Sequence, residues 1–211
     1  MRDLRRSWLF LSNLRLLSPN WLKLSAVRRH GKPTTSLGDR FAMAGILSPP
    51  VPLSAQHDVA VFASGKPMLD HWLKTRALSN QEKGFTAVIV VHVDDRVVGF
   101  YGLSPTAVVP DILPRSTRTG QPPDPVPCLL LGQLAVDQGW AGLGVGTGLL
   151  KHALQRCIQA AGLIGGRALI VNAVDDEAAA FWLRRGFTAT RNDPFVLVRS
   201  IAAIAASLAE N

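Results

Sequence analysis

Residues 128–161 read CLLLGQLAVDQGWAGLGVGTGLLKHALQRCIQAA, and this stretch has three parts of different composition. An apolar run extends to Val136, glycines follow at positions 142, 144, 146 and 148, and apolar residues then recur at helical spacing. Glycines let backbone N–H groups converge on an anion, and a helix start adds unpaired N–H donors and a favourable dipole. The stretch therefore predicts a strand, a pyrophosphate-binding turn and a long helix.

Two other kinds of phosphate loop fit this turn poorly. A nucleoside-triphosphate loop ends in Gly-Lys-Ser/Thr, whereas Gly146 is followed by Thr147 with no lysine between them. A dinucleotide fold places its glycine turn after the first strand, whereas this turn lies two-thirds of the way along the chain. A glycine-rich turn without any ligand is the structural alternative that the glycines alone leave open.

Upstream of the turn, the pattern predicts a short strand, a helix and an antiparallel hairpin. Ser64 is a candidate helix cap, Pro67 suits the first helical turn, and Gly84 is a terminator. The β-branched run after Gly84 and the tight turn at Asp94-Asp95 predict the hairpin. The predicted ranges are a strand over 46–53, a helix over 64–82, hairpin strands over 86–93 and 96–103, and an irregular, proline-rich connection over 105–127.

Downstream of the long helix, strand and helix patterns alternate to the end of the chain. We predict strands over 168–171 and 195–199, a helix over 177–185 and a short helix over 201–208. No internal repeat is visible. Strands interleaved with helices and an antiparallel hairpin define an α/β (α+β) fold, with a central, mixed, largely antiparallel sheet flanked by helices.

Composition excludes several classes of protein. The chain has 211 residues, of which 47% are hydrophobic, so it can bury a core and is not predominantly disordered. No run of about 18 apolar residues exists, so no membrane-spanning helix is expected. Two cysteines, Cys128 and Cys157, form neither a disulfide scaffold nor a four-ligand zinc site, and both suit buried apolar positions. No metal site is expected.

The net charge of +8 is concentrated in one segment. Residues 1–42 hold nine Lys or Arg and two acids (+7), whereas the rest of the chain holds 14 and 13 (+1). We expect a basic N-terminal extension over 1–42, a domain over 43–200 and a short tail over 201–211. Three interpretations of the extension compete: translated upstream sequence with the functional start at Met43, an arm that contacts nucleic acid or a partner, and an arginine-rich targeting segment.

The order of elements and the turn together resemble the GNAT acetyltransferase superfamily. Residues 141–146 (AGLGVG) match its acetyl-CoA pyrophosphate turn, Q/R-x-x-G-x-G/A, and follow GQLAVD at 132–137, which is typical of the strand that leads to that turn. The resemblance implies a single GNAT domain with an N-terminal extension, with acetyl-CoA as co-substrate. It also implies that twelve residues contact acetyl-CoA: Leu134, Ala135, Val136, Ala141, Gly142, Leu143, Gly144, Val145, Gly146, Thr147, Asn172 and Phe181.

Residues 43–199 resemble more narrowly the GNAT toxins of bacterial type II toxin–antitoxin systems, which acetylate the α-amino group of aminoacyl-tRNA and block translation. That resemblance implies a cytoplasmic enzyme with a ribbon-helix-helix antitoxin as partner, and it leaves a homodimer open. Other amine acceptors, on a protein or a small molecule, are the alternative. The matching residues are Pro52-Leu53, His57-Asp58, Phe62, Gly65, Leu69-Asp70, Trp72-Leu73, 98–101 (VGFY), 125–127 (PVP), 175–178 (DDEA), Phe181 and Gly186-Phe187.

Two positions depart from the family pattern. Ala141 stands where the turn usually opens with Gln or Arg, and Trp182 stands where the family carries a tyrosine as general acid. An indole N–H donates hydrogen bonds but transfers no proton near neutral pH, so we expect a slowed enzyme, with a catalytically impaired acetyl-CoA-binding module as the alternative. Trp182 is equally suited to a core position. Tyr101 and Ser104 are substitute proton donors, and each also suits an ordinary strand position.

Basic residues of the body are candidates for contacts with tRNA phosphates, although each is also compatible with a solvated surface charge. They are Arg76, Arg115, Arg118, Arg156, Arg184 and Arg185.

Overall fold

In the computed structural model, which describes residues 46–210, seven strands form one mixed sheet in the order β1-β2-β3-β4-β5-β7-β6. Every neighbouring pair is antiparallel except β4 and β5, which are parallel. The strands are β1 (Val51–Pro52), β2 (Ala87–Val93), β3 (Arg96–Val108), β4 (Val126–Val136), β5 (Ala168–Asn172), β6 (Thr188–Ala189) and β7 (Val196–Ser200). The mixed, largely antiparallel sheet agrees with the predicted fold class.

Helices cover both faces of the sheet. They are α1 (Pro67–Trp72), which continues through a π-helical segment (Leu73–Ala77) into α2 (Leu78–Glu82), then α3 (Val145–Ile164), α4 (Asp176–Leu183) and α5 (Ile201–Ala209). Short 3₁₀ turns occur at Pro110–Ile112 and Gln138–Trp140. The 20-residue α3 is the long helix that the sequence predicts. α5 buries Ile204 completely, so its apolar side belongs to the core.

Successive side chains along each strand point to opposite faces of the sheet, so the core has one part on each face. Val91, Tyr101 and Leu169 point to the face that α3 and α5 cover, where they pack with residues such as Leu149 and Ile204. The opposite face of the sheet is covered in two parts. Phe62, Leu73 and Ala77 pack there on Val88, Val90 and Phe100, and Leu113 of the β3–β4 loop packs on Val126, Cys128, Ala168, Ile170 and Val198.

The parallel strands β4 and β5 separate partway along their length. They pair only at residues 129–131 of β4, whereas β4 continues to pair with β3 as far as Val136. The β3–β4 register shifts around Gly132, which is the extra residue of a bulge. Within the described residues, positions 133–136 therefore have no partner strand on the β5 side, and this leaves a cleft between the two strands.

Several observed boundaries differ from the predicted ones. The predicted 46–53 strand is reduced to two residues, since Pro49, Pro50 and Pro52 lack the N–H groups that ladder pairing needs. β3 extends to Val108 and includes Pro105, which the sequence places in the irregular connection; it pairs there with Leu129. The two-residue β6 is absent from the prediction, because so short a strand has no visible periodicity.

The predicted cap at Ser64 is wrong. The helix begins at Pro67 with Lys66 at the cap position and no side-chain cap bond. Ser64 instead donates its hydroxyl to Asp70 Oδ1 at 2.5 Å and accepts from the Lys66 N–H at 3.2 Å. Its side chain therefore orders the segment that leads into α1. The prediction that Gly84 ends this helical region is confirmed, since Gly84 follows the helix with φ +75°.

Candidate active site

The glycine turn presents an open array of backbone donors. Gly142 and Gly144 have φ values of +76° and +85°, which non-glycine residues rarely adopt, and no atom lies within 4 Å of the space beside either Cα. No backbone hydrogen bond from the N–H groups of residues 142–147 to another described residue is present, and Gly144, at the cap position of α3, provides no side-chain cap. Six N–H groups at the positive end of a 20-residue helix therefore have no backbone acceptor among the described residues, and unpaired donors of this kind are what a pyrophosphate requires.

The start of α3 lies unusually close to the sheet. A Cβ at Gly99 would stand 2.9 Å from Leu149 Cδ1 and 3.2 Å from Val145 Cγ1, so only glycine at this β3 position permits the approach. A Cβ at Gly146 would come within 3.4 Å of Val136 Cγ2. Close packing therefore brings the glycine turn next to the free end of β4.

Leu134, Ala135 and Val136 form that free end of β4. They pair with Tyr101, Phe100 and Gly99 of β3, and their side facing β5 is open in the described structure. The strand thus presents unpaired backbone groups to the cleft, beside the pyrophosphate turn. This placement suits hydrogen bonds to the extended arm and the thioester of acetyl-CoA. Asn172, at the end of β5, lies across the cleft and is exposed.

Trp182 is a core residue. It lies on α4 with 7% of its surface exposed, and its ring makes edge contacts with Phe181 at 4.9 Å and Phe187 at 5.2 Å between centroids. No hydrogen bond joins its indole N–H to any other described residue. Phe181 has one face covered by Arg185, whose Cζ lies 3.4 Å from the ring centroid. Both aromatic side chains therefore serve packing in this structure.

Tyr101 is fully buried and engaged. Its hydroxyl lies 2.8 Å from Nδ1 of His152 on α3, and none of its surface is exposed. Burial raises the pKa of Tyr101 above its usual value, which disfavours loss of its proton. Burial, with a smaller contribution from Arg156, lowers the pKa of His152 to about 4, so this imidazole is neutral near pH 7. Ser104 lies farther along β3, opposite Leu130.

The sequence analysis missed two groups that join the walls of the site. Asp137 is 6% exposed; its Oδ2 accepts from Ala63 N at 3.0 Å and its Oδ1 from Gly139 N at 2.9 Å, which ties the approach to α1 to the exit of β4. Lys66 Nζ lies 2.6 Å from Asp175 Oδ2 and 3.2 Å from Glu177 Oε2, which links the start of α1 to α4. Neither link is visible in the sequence, because its partners are 74 to 111 positions apart.

The acids of this second group have structural partners. Asp175 caps α4 by accepting from Ala178 N at 2.8 Å. The hydrogen bond from Lys66 lowers the pKa of Asp175, and the bond to Asp175 raises the pKa of Lys66. Asp175 and Glu177 thus act as helix-start acids, as the sequence indicates.

The six candidate arginines are distributed over four segments. Arg76 is exposed on the π-helical segment, Arg156 lies on α3, and Arg184 and Arg185 follow α4. Arg115 and Arg118 line one cavity on the β3–β4 loop.

The described residues contain neither a metal-binding cluster nor a helix able to span a membrane. Between positions 46 and 210, no three His, Cys, Asp or Glu side chains come together as a metal site would require. In the same range, no helix combines the length and apolar character needed to cross a membrane. Cys128 and Cys157 are both free and buried, and burial raises the pKa of Cys157 to about 12.

Comparison with known proteins identifies the class to which this site belongs. The model of the acetyltransferase (GNAT) family matches residues 54–187, which include the cleft, the glycine turn and α4. The chain is 44% identical over 151 residues to the tRNA-acetylating toxin of Mycobacterium tuberculosis (strain ATCC 25618 / H37Rv), covering 72% of this chain and 90% of that protein. It is 27% identical over 159 residues to the probable toxin TacT of Sinorhizobium fredii (strain NBRC 101917 / NGR234), covering 71% and 88%.

Solved structures share the fold. A tyrosine-to-phenylalanine mutant of KacT superposes with a TM-score of 0.71 at 24% identity, covering 76% of this chain and 98% of KacT. AtaT in complex with acetyl-methionyl-tRNA gives 0.70 at 22% identity, covering 77% and 99%. AtaTR bound with acetyl-CoA gives 0.67 at 24% identity, covering 77% and 98%.

The chain belongs to the GNAT acetyltransferase family. It is an acetyl-CoA-dependent N-acetyltransferase, and its fold is the one predicted from the sequence.

Proposed function

We propose that this enzyme acetylates the α-amino group of aminoacyl-tRNA and so acts as a toxin that blocks translation. The observation that carries the proposal is the 44% identity to a tRNA-acetylating toxin, 90% of which the chain covers. The open glycine turn and the free end of β4 supply what acetyl transfer requires: an anchor for a pyrophosphate and donors beside it.

Acetyl-CoA supplies an acetyl group as a thioester. The acceptor nitrogen forms a bond to the carbonyl carbon with its lone pair, the carbon–sulfur bond breaks, and the thiolate leaves. Because a thiol has a pKa of about 8.5, the thiolate can leave without a general acid, although more slowly than with one, and an α-amino group with a pKa near 8 offers a useful neutral fraction at pH 7. Holding the reactants together and donating backbone hydrogen bonds from Leu134–Val136 are then the main contributions of the chain.

The proton that the amine loses, and the one that the thiolate gains, exchange with water in this proposal. Trp182 has no acidic proton to give near neutral pH. Tyr101 is buried, and its hydroxyl is engaged with His152. A missing general acid typically slows such a reaction about 10²–10⁴-fold, so the site supports a slowed enzyme.

The comparisons also bear on partners. AtaT has been solved with the C-terminus of the antitoxin AtaR, and KacTA has been solved with DNA. We propose that this chain likewise pairs with an antitoxin, of the ribbon-helix-helix type that the family resemblance implies, and that it acts in the cytoplasm, as a monomer or a homodimer. The proposed acetyltransferase domain extends over residues 43–200, somewhat beyond the matched 54–187.

Labelled acetyl-CoA, supplied with charged and with uncharged tRNA, tests the substrate. We expect label to enter charged tRNA alone and to be released with the amino acid on mild alkaline hydrolysis. Transfer to a protein or a small amine, with none to charged tRNA, would instead identify an acetyltransferase with another acceptor. Mass spectrometry of the released amino acid locates the acetyl group on its nitrogen.

Trp182 supports a second candidate, an acetyl-CoA-binding module with little catalysis. The same assay separates the two, because the module binds acetyl-CoA in calorimetry yet transfers no label to any acceptor. Deleting residues 1–42 tests the proposed boundary. Unchanged transfer by the shortened chain would place the whole activity in residues 43–211, together with only one of the eight net charges.

A further inference from the structure

The β3–β4 loop carries a cavity far from the acetyl-transfer site. Its volume is about 430 Å³, and Pro110, Arg115, Arg118, Thr119 and Pro122 line it. Both charged residues of this lining are arginines. A cavity of this size accommodates a phosphate with part of its sugar.

The loop that forms the cavity is held firmly to the sheet. Leu113 is completely buried, and Thr117 is 3% exposed. Arg167, just before β5, donates from Nε to the Thr117 carbonyl at 2.9 Å and from Nη2 to Thr119 Oγ1 at 2.7 Å. The loop therefore presents Arg115 and Arg118 from a fixed platform, with a third guanidinium beneath it.

Asp111 is paired with Arg118 but does not cancel the positive charge of the cavity lining. Asp111 Oδ1 lies 3.1 Å from Arg118 Nη1, but the Asp111 side chain is 91% exposed and does not line the cavity. An exposed pair of this kind contributes little energy, so a stronger anion can displace Asp111 from Arg118. Arg115 forms no ion pair with any described residue.

The cavity lies on the side of the sheet opposite α3. Leu113, beside it, packs on Ile170 and Val198, whereas α3 and the pyrophosphate turn cover the opposite face, which includes Leu169 and Val171. A cofactor anchored at the turn thus reaches the cleft from the α3 side and leaves the loop side for the acceptor. The Arg167 N–H also donates to the Pro127 carbonyl at 2.8 Å, and Pro127 is seven residues from Leu134 along β4, which corresponds to roughly 23 Å at about 3.3 Å per residue.

We propose that Arg115 and Arg118 form a phosphodiester-binding site, which engages the acceptor arm of tRNA about 23 Å from its aminoacylated end. The inference rests on the proposed function and adds a basis for its selectivity. A free amino acid or a small amine cannot reach from the cleft to the cavity. Duplex RNA carries phosphates all along such a distance, and arginine binds phosphate in a bidentate manner.

The test compares wild type with the Arg115→Gln/Arg118→Gln double variant. We expect the KM for aminoacyl-tRNA to rise about tenfold, with kcat and the KM for acetyl-CoA unchanged. The slope of log affinity for tRNA against log salt should become shallower by about 1.4–1.8 when two phosphate contacts are lost. Aminoacyl-adenosine, an acceptor too short to reach the loop, should react equally with both proteins.

Two matched single variants sharpen the test. Asp111→Asn frees Arg118 and should lower the KM for aminoacyl-tRNA about twofold. Arg96→Gln removes one positive charge at the other end of β3 and should leave that KM within twofold of wild type. Thermal unfolding of all variants checks that the fold is intact.

Each outcome decides the inference. An unchanged KM and salt slope for tRNA in the double variant overturns it. So does a variant that acetylates tRNA normally but escapes inhibition by the antitoxin, since the cavity would then bind a protein. If wild type transfers no acetyl group to charged tRNA, while the double variant binds uncharged tRNA more weakly than wild type, the proposed function fails and the phosphodiester site stands.

Discussion

The glycine turn and position 182 differ in what each would contribute to the proposed acetyl transfer. The turn offers backbone N–H groups of residues 142–147, and replacing its usual opening side chain by Ala141 leaves those groups in place. Position 182 contributes a side chain, and the change from tyrosine to tryptophan removes the hydroxyl entirely. A site made of backbone tolerates substitution wherever the conformation persists, whereas a site made of one side chain does not.

Burial adds to this difference. Gly142 and Gly144 are exposed and have positive φ, so conformation is the constraint on these two positions. Trp182 is buried against Phe181 and Phe187, so a substitution there changes both the chemistry and the packing. The two contributions can be separated only with variants of matched size.

Substitution at position 182 should give the largest effect. Trp182→Tyr restores a hydroxyl that can protonate the leaving thiolate, whereas Trp182→Phe gives a ring of nearly the same size without it. We expect kcat to be about 100-fold higher in the tyrosine variant than in the phenylalanine variant, the lower end of the usual gain from a general acid. Steady-state kinetics at saturating acetyl-CoA measures the ratio.

Both variants lose ring volume, so each should lower the free energy of unfolding by about 1–3 kcal/mol. This shared cost cancels in their comparison. Equal kcat values in the two variants would contradict a catalytic role for this position and favour packing as its whole function.

Gly144→Ala should have the next largest effect. It tests whether the backbone conformation of the glycine turn matters for binding acetyl-CoA. Alanine at φ +85° costs about 1–2 kcal/mol, because its Cβ crowds the neighbouring carbonyl oxygen. We expect the KM for acetyl-CoA to rise roughly 5–30-fold, as the turn reshapes to relieve the strain.

Gly162→Ala is the matched control for this substitution. Gly162 lies within α3, and no atom lies within 4 Å of the added Cβ. Alanine there should stabilise the chain by about 0.5–1 kcal/mol and leave the KM unchanged. A KM that responds equally to both substitutions would show that the turn is not a special site.

The sequence predicts the local structure of the glycine turn better than the surroundings of Trp182 and Tyr101. The turn depends on local features, four glycines between a strand and an amphipathic helix, and it forms where residues 142–148 predict it. The positions of Trp182 and Tyr101 depend on packing between distant elements. The sequence left open whether each faces the core or the cleft, and the structure buries both.

Long-range links limited the prediction in the same way. Asp137 ties β4 to Ala63, and Lys66 reaches Asp175, yet no local pattern marks either pair. The C-terminal end of β3 was also predicted too early, because Pro105 indicates a break unless its missing N–H is tolerated by the neighbouring strand. Local structure could therefore be predicted from the sequence, whereas contacts between residues far apart in the sequence could not.

Asp137→Asn should have a smaller effect than Gly144→Ala. An asparagine keeps one carbonyl acceptor but presents an NH₂ group to the second backbone donor, so one of the bonds to Ala63 and Gly139 is lost. We expect the KM for acetyl-CoA to rise about 3–10-fold, since a bond to a charged group contributes about 1.5–3 kcal/mol and part of that loss falls on stability. Asp124→Asn, in the β3–β4 loop, is the control and should change neither the KM for acetyl-CoA nor the free energy of unfolding.

Tyr101→Phe should have the smallest catalytic effect. The Tyr101 hydroxyl bonds to His152 within the core, so its loss should lower the free energy of unfolding by about 1 kcal/mol and change kcat less than threefold. A 100-fold loss of kcat would instead identify Tyr101 as the proton donor that replaces the family tyrosine. Single-turnover kinetics and urea unfolding of the same preparation separate the two results.

The pH dependence of stability checks the same pair. Burial lowers the pKa of His152 to about 4, from about 6.5 in the unfolded chain, so the folded state favours the neutral imidazole. The unfolded state binds the extra proton as pH falls below 6.5, and the contribution of neutral His152 to stability is therefore present above pH 6.5 and lost progressively towards pH 4. His152→Gln should flatten the fall in unfolding free energy over this window. A wild-type curve that coincides in shape with that of the variant would show that His152 titrates freely and is not held neutral beside Tyr101.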